Sequence, residues 1–326
     1  MKTYNRGLKI YNDKAEPNTE SETCSEAMGY GMLISAMMAG CEKDKEVILN
    51  EQYLFDFLLD NIIKYRAGNG SNLIDWTVGP YGDSDNATDG DMDIAYALLI
   101  AAKYNNGWGE HQFFELPYIF FWSENGSYIL PVPHGPKYIE VAKGIIEDIN
   151  NHCLYQNTPN KFQNDWRIRP GYTYDSPPEL AHSSRTSDWM PDHLRHFSNN
   201  VETSNHFSEA ANNIPVMASY IQKNFSPDYG LLPDYITDAD QNDDVDEDKY
   251  KIGPVKSTED DIFNEDKHDD DYDYNACRFP LRLAVAAKSP ECNNDYSTIL
   301  NNYLNGISKI LKNDDEEWTD THLGCI

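Results

Sequence analysis

In the stretch Thr23-Cys24-Ser25-Glu26-Ala27-Met28-Gly29-Tyr30-Gly31-Met32-Leu33, one acidic side chain stands at the first turn of a segment whose other members are mostly small, apolar or glycine. Ser25 is placed to cap that helix. A carboxyl at such a position has two uses. The positive end of the helix dipole favours it by about 0.3 to 1 kcal/mol, which is a structural role. Set among Met and Tyr in poorly hydrated surroundings, it would instead stay protonated near neutral pH, as a general acid must. The local pattern leaves both open.

Three other loop-to-helix junctions have a related composition: Ala87-Thr88-Asp89-Gly90-Asp91, Ser184-Arg185-Thr186-Ser187-Asp188-Trp189-Met190-Pro191-Asp192, and Tyr272-Asp273-Tyr274-Asn275-Ala276-Cys277-Arg278. If the helices pack in a barrel, these junctions share one end and line a single cleft with carboxylates and aromatics. Hydrolysis of a glycosidic bond uses such an assembly: an acid for the leaving oxygen, a base for water and aromatic platforms for the rings. His193 and His196 have a spacing that suits a metal, but no third ligand accompanies them.

The elements that must position these residues are helices. Lys45 to Tyr65 carries a broad apolar stripe of Val47, Ile48, Leu54, Phe55, Leu58, Leu59 and Ile62, which predicts a helix. Residues 67 to 90 read as a loop holding Trp76 and Tyr81. Asp91 to Tyr104 is apolar on most faces and suits an inner helix covered on all sides. Residues 105 to 135 are aromatic and irregular. Further helices are expected over Lys137 to Cys153, Asp188 to Phe197, His206 to Phe225, Asn275 to Lys288 and Asp295 to Lys312, with a long loop over Leu154 to Ser187 and an interruption at Pro280. With hardly any alternating strand pattern, the architecture expected is all-α.

Composition narrows the partners. The 326 residues carry 55 acidic and 26 basic side chains, a formal charge of -29. That balance repels phosphate backbones and anionic lipid, which argues against nucleic acid and membrane partners. No run approaches the roughly 18 apolar residues of a membrane span, which predicts a soluble chain. The 22 Tyr and 6 Trp suit sugar rings as well as a core. Six cysteines (Cys24, Cys41, Cys153, Cys277, Cys292 and Cys325) stand far apart without a C-x-x-C pair; disulfides are permitted, but a zinc ribbon is not suggested. Sequons at Asn69, Asn86, Asn125 and Asn224 are compatible with secretion. Met1 to Gly7 shows no apolar signal core, so either the chain is intracellular or the sequence is part of a longer product.

Residues 238 to 273 hold 16 Asp and Glu against 4 Lys. Such a run ordinarily forms a solvated loop. An EF-hand at Asp238-Ala239-Asp240-Gln241-Asn242 fails, because Asp243 stands where Gly is needed and Lys249 where Glu is needed.

T-C-S-E-A-M-G-Y-G-M resembles the S-E-G-Q-G-Y-G-M stretch of family 8 of the glycoside hydrolases, and A-T-D-G-D-M-D-I-A-Y-A-L-L-I-A is similar to that family's signature segment. S-S-R-T-S-D-W-M-P-D-H-L-R-H-F and Y-N-A-C-R-F-P-L-R resemble two further family segments in the same order, so that the resemblance spans roughly Ser21 to Leu283. It implies an (α/α)6 barrel, whole or incomplete at one or both ends, as a single catalytic domain over residues 1–326 with an acidic inserted loop at about 238–273. It also implies an inverting endo-acting enzyme on β-1,4-linked glucan, mixed-linkage glucan, xylan or chitosan that needs no metal. The expected partner is a polysaccharide, the expected state a monomer, and the expected location extracellular.

Carried over by residue, the resemblance makes Glu26 the proton donor and Asp89 the group that contacts the sugar beside the scissile bond. Tyr30, Trp76, Asp91, Arg185, Asp188, Trp189, Asn275 and Arg278 are expected to bind substrate. Asp91 reads equally as a first-turn helix acid, and Arg185 with Asp192 equally as a structural ion pair. Two departures stand out. Where much of the family has a basic Asp after Tyr, this chain has Asn275, which cannot ionise. A subgroup with Asn there, containing chitosanases and mixed-linkage glucanases, takes its base from a Glu in an inserted loop shortly upstream, and Glu265 fits, with Glu259, Asp271 and Asp273 as rivals. The second departure is length: about nine or ten helices can be read where twelve are expected. Inversion further requires acid and base about 6.5 to 9.5 Å apart.

Overall fold

A computed structural model describes residues 23–39, 51–67, 71–78, 85–103, 137–156, 166–172, 182–201, 206–238, 252–259, 261, 263–264, 267–273, 275–289 and 294–312. Two units separate by their internal packing, Met1–Asn151 and His152–Ile326. Among the described residues both are built mainly from helices, as the all-α expectation had it.

The first unit holds α1 (Ser25–Met38), α2 (Glu51–Lys64), α3 (Thr88–Lys103) and α4 (Tyr138–Asp148), with a short antiparallel pair, β1 (Thr23–Cys24) and β2 (Thr77–Val78). α3 packs on α1 and on α4, and α1 on α2. The expected stripe of α2 is buried at Phe55, Leu58, Leu59 and Ile62, while residues 45–50 of that predicted helix lie outside the described ones. α3 is buried along almost its whole length, as its apolar faces predicted, and starts at Thr88, three residues before the expected Asp91.

Glycine at two positions sets the distance between α1 and α3. A Cβ on Gly90 would overlap the Ser25 hydroxyl and lie 2.9 Å from the Glu26 nitrogen; one on Gly29 would lie 2.9 Å from Asp93 Cβ. A glycine inside a helix costs up to about 1 kcal/mol relative to alanine. Here it lets the first turns of α1 and α3 touch, which brings Glu26 beside Asp89.

In the second unit, the expected long loop from Leu154 to Ser187 contains three strands, β3 (Leu154–Gln156), β4 (Trp166–Ile168) and β5 (Ser184–Arg185). β3 pairs antiparallel with β4. β5 pairs with β6 (Tyr235–Asp238), which pairs with β7 (Ile252–Pro254), all antiparallel. A single turn of 3-10 helix, Thr186–Asp188, leads to α5 (Pro191–Ser198); α6 (Phe207–Asn224), α7 (Phe279–Lys288) and α8 (Asn294–Lys312) follow. Pro280 opens α7 instead of interrupting a helix, because in the first turn its missing N–H has no intrahelical partner to lose. A 3-10 turn, Ala276–Arg278, takes the place of the expected start at Asn275.

No described helix is long and apolar enough to cross a membrane. Cys24, Cys153 and Cys277 form no disulfide among the described residues, and the other three cysteines lie outside them. Of the sequons, Asn86 is buried with its amide nitrogen donating to Asp91 and cannot carry a glycan. Asn224 is exposed, and Asn69 and Asn125 lie outside the described residues.

Candidate active site

In the first unit the chain around Glu26 is tied down by contacts distant in sequence. The expected serine cap does not form. Cys24 holds the N-cap position without a side-chain bond, and the Ser25 N–H donates to the Trp76 carbonyl at 2.9 Å. Ser25 turns its hydroxyl to Glu26 Oε2 at 3.3 Å, and the Trp76 indole N–H donates to Glu26 Oε1 at 3.3 Å. Trp76 remains 46% exposed, so its ring is open to solvent beside the acid. Tyr30, one turn further along α1, is also exposed.

Asp89 and Asp91 come from the first turn of α3. Asp89 is buried and accepts from the Gly90 N–H at 2.8 Å. Asp91 is wholly buried: Oδ1 accepts from the Ile74 N–H and Oδ2 from the Asn86 amide, each at 2.8 Å. Burial pushes its carboxyl well above the usual range. The two bonds oppose that shift, and the negative fields of Asp89 and Glu26 add to it. The Cys24 thiol is raised to about 11, by burial first and then by Glu26. Asp91 therefore holds the Ile74–Trp76 segment and offers no atom to a ligand, in line with the first-turn structural reading and not with substrate binding.

In the second unit, Arg185, Asp188, Asn275 and Arg278 form a second cluster. Arg278 donates to the Ser187 hydroxyl oxygen at 3.2 Å and to Asn275 Oδ1 at 2.9 Å, and the Ser187 hydroxyl donates to Asp188 Oδ1 at 3.0 Å. The carboxylate that grips Arg185 is one the sequence did not offer. Arg185 makes a two-pronged bond to Asp234, at 3.0 and 2.8 Å, and lies over the Tyr235 ring. Burial works against the Arg185 cation, but bonding to Asp234 and the fields of Tyr235, Asp234 and Asp188 outweigh it and raise its pKa. Asp234 was not legible as a partner, since it stands 49 residues away with only its Pro-Asp-Tyr context as a hint.

Trp189 is fully buried, edge-on to Phe279 with its N–H on Ser184 Oγ, so it is a core residue and presents no platform to a sugar. His193 packs edge-on to Phe197, while His196 bonds the Asp192 carbonyl at 2.9 Å. No group of three His, Cys, Asp or Glu able to hold a metal occurs among the described residues.

The acidic window is partly anchored. Its first residue, Asp238, ends β6, and Ile252 pairs back against it in β7. The Asp269 and Asp271 carbonyls accept the N–H groups of Tyr235 and Asp234 at 2.9 and 2.8 Å. Asn264 donates its amide to the Tyr235 hydroxyl at 2.7 Å, and its N–H goes to Asp269 Oδ2 at 2.7 Å. Glu265 lies outside the described residues, but the residue before it is bound to the same tyrosine that carries Arg185. Among its rivals, Glu259 is paired with Lys267 at 2.7 Å and Asp271 with His268 at 3.0 Å.

Comparison with known proteins places these residues in context. The sequence profile described as glycosyl hydrolases family 8 matches residues 11–120, which include Glu26, Trp76, Asp89 and Asp91. A β-glucanase of Niallia circulans is 28% identical over 271 residues, 82% of this chain and 53% of the relative. An endoglucanase of Bacillus sp. (strain KSM-330) is 27% identical over 266 residues, 80% of this chain and 45% of the relative. The chain thus spans about half the length of the curated relatives it matches. The apo structure of a β-1,3-1,4-glucanase from Paenibacillus sp. X4 superposes with a TM-score of 0.69 at 25% identity, covering 96% of this chain and 70% of that one. An endoglucanase from Komagataeibacter sucrofermentans gives a TM-score of 0.53 at 19% identity over 85% and 68%, a likeness of fold alone.

Proposed function

We propose that the chain, which matches the family 8 profile of the glycosyl hydrolases over residues 11–120, is an extracellular, inverting endo-β-glucanase of that family with its all-α (α/α)6 barrel fold. The observation that carries the reading is the junction at Glu26: a carboxyl at the start of α1, held by the Trp76 indole and the Ser25 hydroxyl. In this reading Glu26 protonates the glycosidic oxygen as its bond to C1 breaks. Water attacks C1 from the opposite face, its proton passing to Glu265, and a β-bond yields an α-anomer. Asp89 orients the sugar next to the scissile bond. Arg185, Asp188, Asn275 and Arg278 supply polar contacts to further rings. The substrate class follows the named relatives, a β-glucanase, an endoglucanase and a β-1,3-1,4-glucanase.

The charge of -29 favours a cationic polymer on electrostatic grounds, so chitosan is the second substrate to consider. One assay decides: incubation with lichenan, carboxymethyl-cellulose, xylan and chitosan, following reducing ends and the anomer released by proton NMR. Fast loss of viscosity on lichenan with α-anomer first is the expected result. Chitosan cleavage that falls steeply with salt would transfer the assignment to the cationic polymer. Binding without release of reducing ends would replace the enzyme by a sugar-binding protein, and β-anomer first would overturn inversion.

A further inference from the structure

Trp76 is the residue around which the acid's surroundings are assembled. Its carbonyl accepts the first N–H of α1, from Ser25, at 2.9 Å, and its indole N–H reaches Glu26, the next residue, at 3.3 Å. Its own N–H is taken by the Asp85 carbonyl at 2.6 Å. The segment behind it is fixed by Asp91 through the Ile74 N–H, and an isolated bridge joins Asp75 to Asn86, whose amide holds the other oxygen of Asp91. One tryptophan therefore grips two successive residues of α1 from a segment that α3 clamps in place.

We propose that Trp76 is a positioning residue for Glu26, aiming its carboxyl through Oε1 and stabilising the carboxylate left once its proton has moved to the leaving oxygen. The inference rests on the reading of Glu26 as the acid. An indole N–H can only donate, so the bond strengthens as negative charge develops on its acceptor. The other titratable groups around Glu26 act the opposite way. Among the described residues, the groups whose fields couple with that of Glu26 include Asp91 from α3 and Cys24 from β1, with Asp89 beside them, and each of these three is acidic. On α2, Asp56 is turned to Tyr138. In an acidic setting of this kind, a donor on the carboxylate makes proton release easier and repeated turnover possible. The exposed ring leaves the same residue free to face a sugar.

The test uses the whole chain and two readouts. Trp76→Phe keeps a ring and removes the N–H. The expected result is a three- to tenfold fall in kcat, an alkaline limb of the pH–rate profile displaced upward by about half a unit to one unit, and KM within about twofold. Independently of turnover, the Trp76 indole N–H resonance should move with pH in the native chain and stop moving in Glu26→Gln. An unchanged pH profile and kcat in Trp76→Phe, or an indole resonance indifferent to Glu26→Gln, overturns the proposal. A Glu26→Gln variant that keeps most of its activity sinks the acid assignment itself. The indole titration still reports whether the contact exists.

Discussion

Asp91, Asp56 and Glu26 in the first unit and Asp234 in the second meet different kinds of donor. In the first, Asp91 is held by a backbone N–H and an amide, Asp56 by the Tyr138 hydroxyl, and Glu26 accepts an indole N–H and a serine hydroxyl. In the second, Asp234 meets the Arg185 guanidinium on both oxygens, and Asp188 lies in the field of the same cation. Neutral donors do not offset the desolvation of a buried carboxylate, so Asp91 and Asp56 are both pushed up. A guanidinium on both oxygens keeps its partner ionised. Asp91 and Asp56 are thus suited to holding protons, and the Arg185–Asp234 pair to fixing charge in place.

The contrast breaks most directly at Glu26. If the first unit supplies the acid, Glu26→Gln should lower kcat by about 10²- to 10⁴-fold while oligosaccharide binding and melting temperature stay near the native values. Glu265→Gln should do the same if the acidic insertion supplies the base. A Glu26→Gln loss confined to binding would mean that the first unit only holds substrate. In the second unit the corresponding break is structural. Asp234→Ala leaves a buried guanidinium without its carboxylate, which should cost about 3 to 5 kcal/mol in denaturant unfolding. A cost below 1 kcal/mol would show that the pair is effectively solvent-screened and that the two units do not differ in this way.

These contacts also mark what could be read from the chain alone. The junctions at Glu26 and Asp89 were legible because local composition and the spacing of apolar residues carry them, and α3 was legible as an inner helix for the same reason. The cap of α1 was not, because its acceptor is the carbonyl of Trp76, 51 residues from Ser25. Arg185 read equally as a substrate contact and as a structural pair with Asp192, and neither reading offered Asp234, which lies across the strand pair that β5 and β6 form. Strands of two to four residues are too short for alternation to show, which is why residues 154–187 read as loop. Trp189 was expected to bind substrate because its segment resembles one that lines the cleft in the family. Only tertiary packing against Phe279 reveals it as core.

A smaller effect sharpens the proton-holding side of the contrast. Asp56, between α2 and α4, accepts the Tyr138 hydroxyl at 2.7 Å, and burial raises it from 3.8 to about 7 against that bond. Because its folded value is higher than its unfolded one, the folded state binds this proton more tightly. The resulting stability is complete below the unfolded value and is lost as pH rises through about 7. Asp56→Asn should therefore flatten the fall in stability between those two values, by an amount on the order of a few kcal/mol. Melting curves across that range check it. A native profile already flat, or one that rises with pH, would show that Asp56 is not held protonated.

The smallest expected effect tests the charge-fixing side where it borders on chemistry. Glu259 is an alternative to Glu265 as base, and it is the acidic-window carboxylate seen directly on a lysine, with Lys267 Nζ at 2.7 Å. Hydrogen bonding and charge from Lys267 hold its carboxyl below the ordinary range, which weakens it as a proton acceptor. Its side chain is 78% exposed, so water screens the pair and little stability rests on it. Glu259→Gln should therefore leave kcat within about twofold and the melting temperature nearly unchanged, since a weak, screened base contributes neither rate nor fold. A collapse of kcat in Glu259→Gln, with Glu265→Gln near native, would move the base six residues nearer to β7. It would also show that a carboxylate held by a cation takes part in proton transfer, which breaks the contrast between carboxyls on neutral donors and carboxyls on cations.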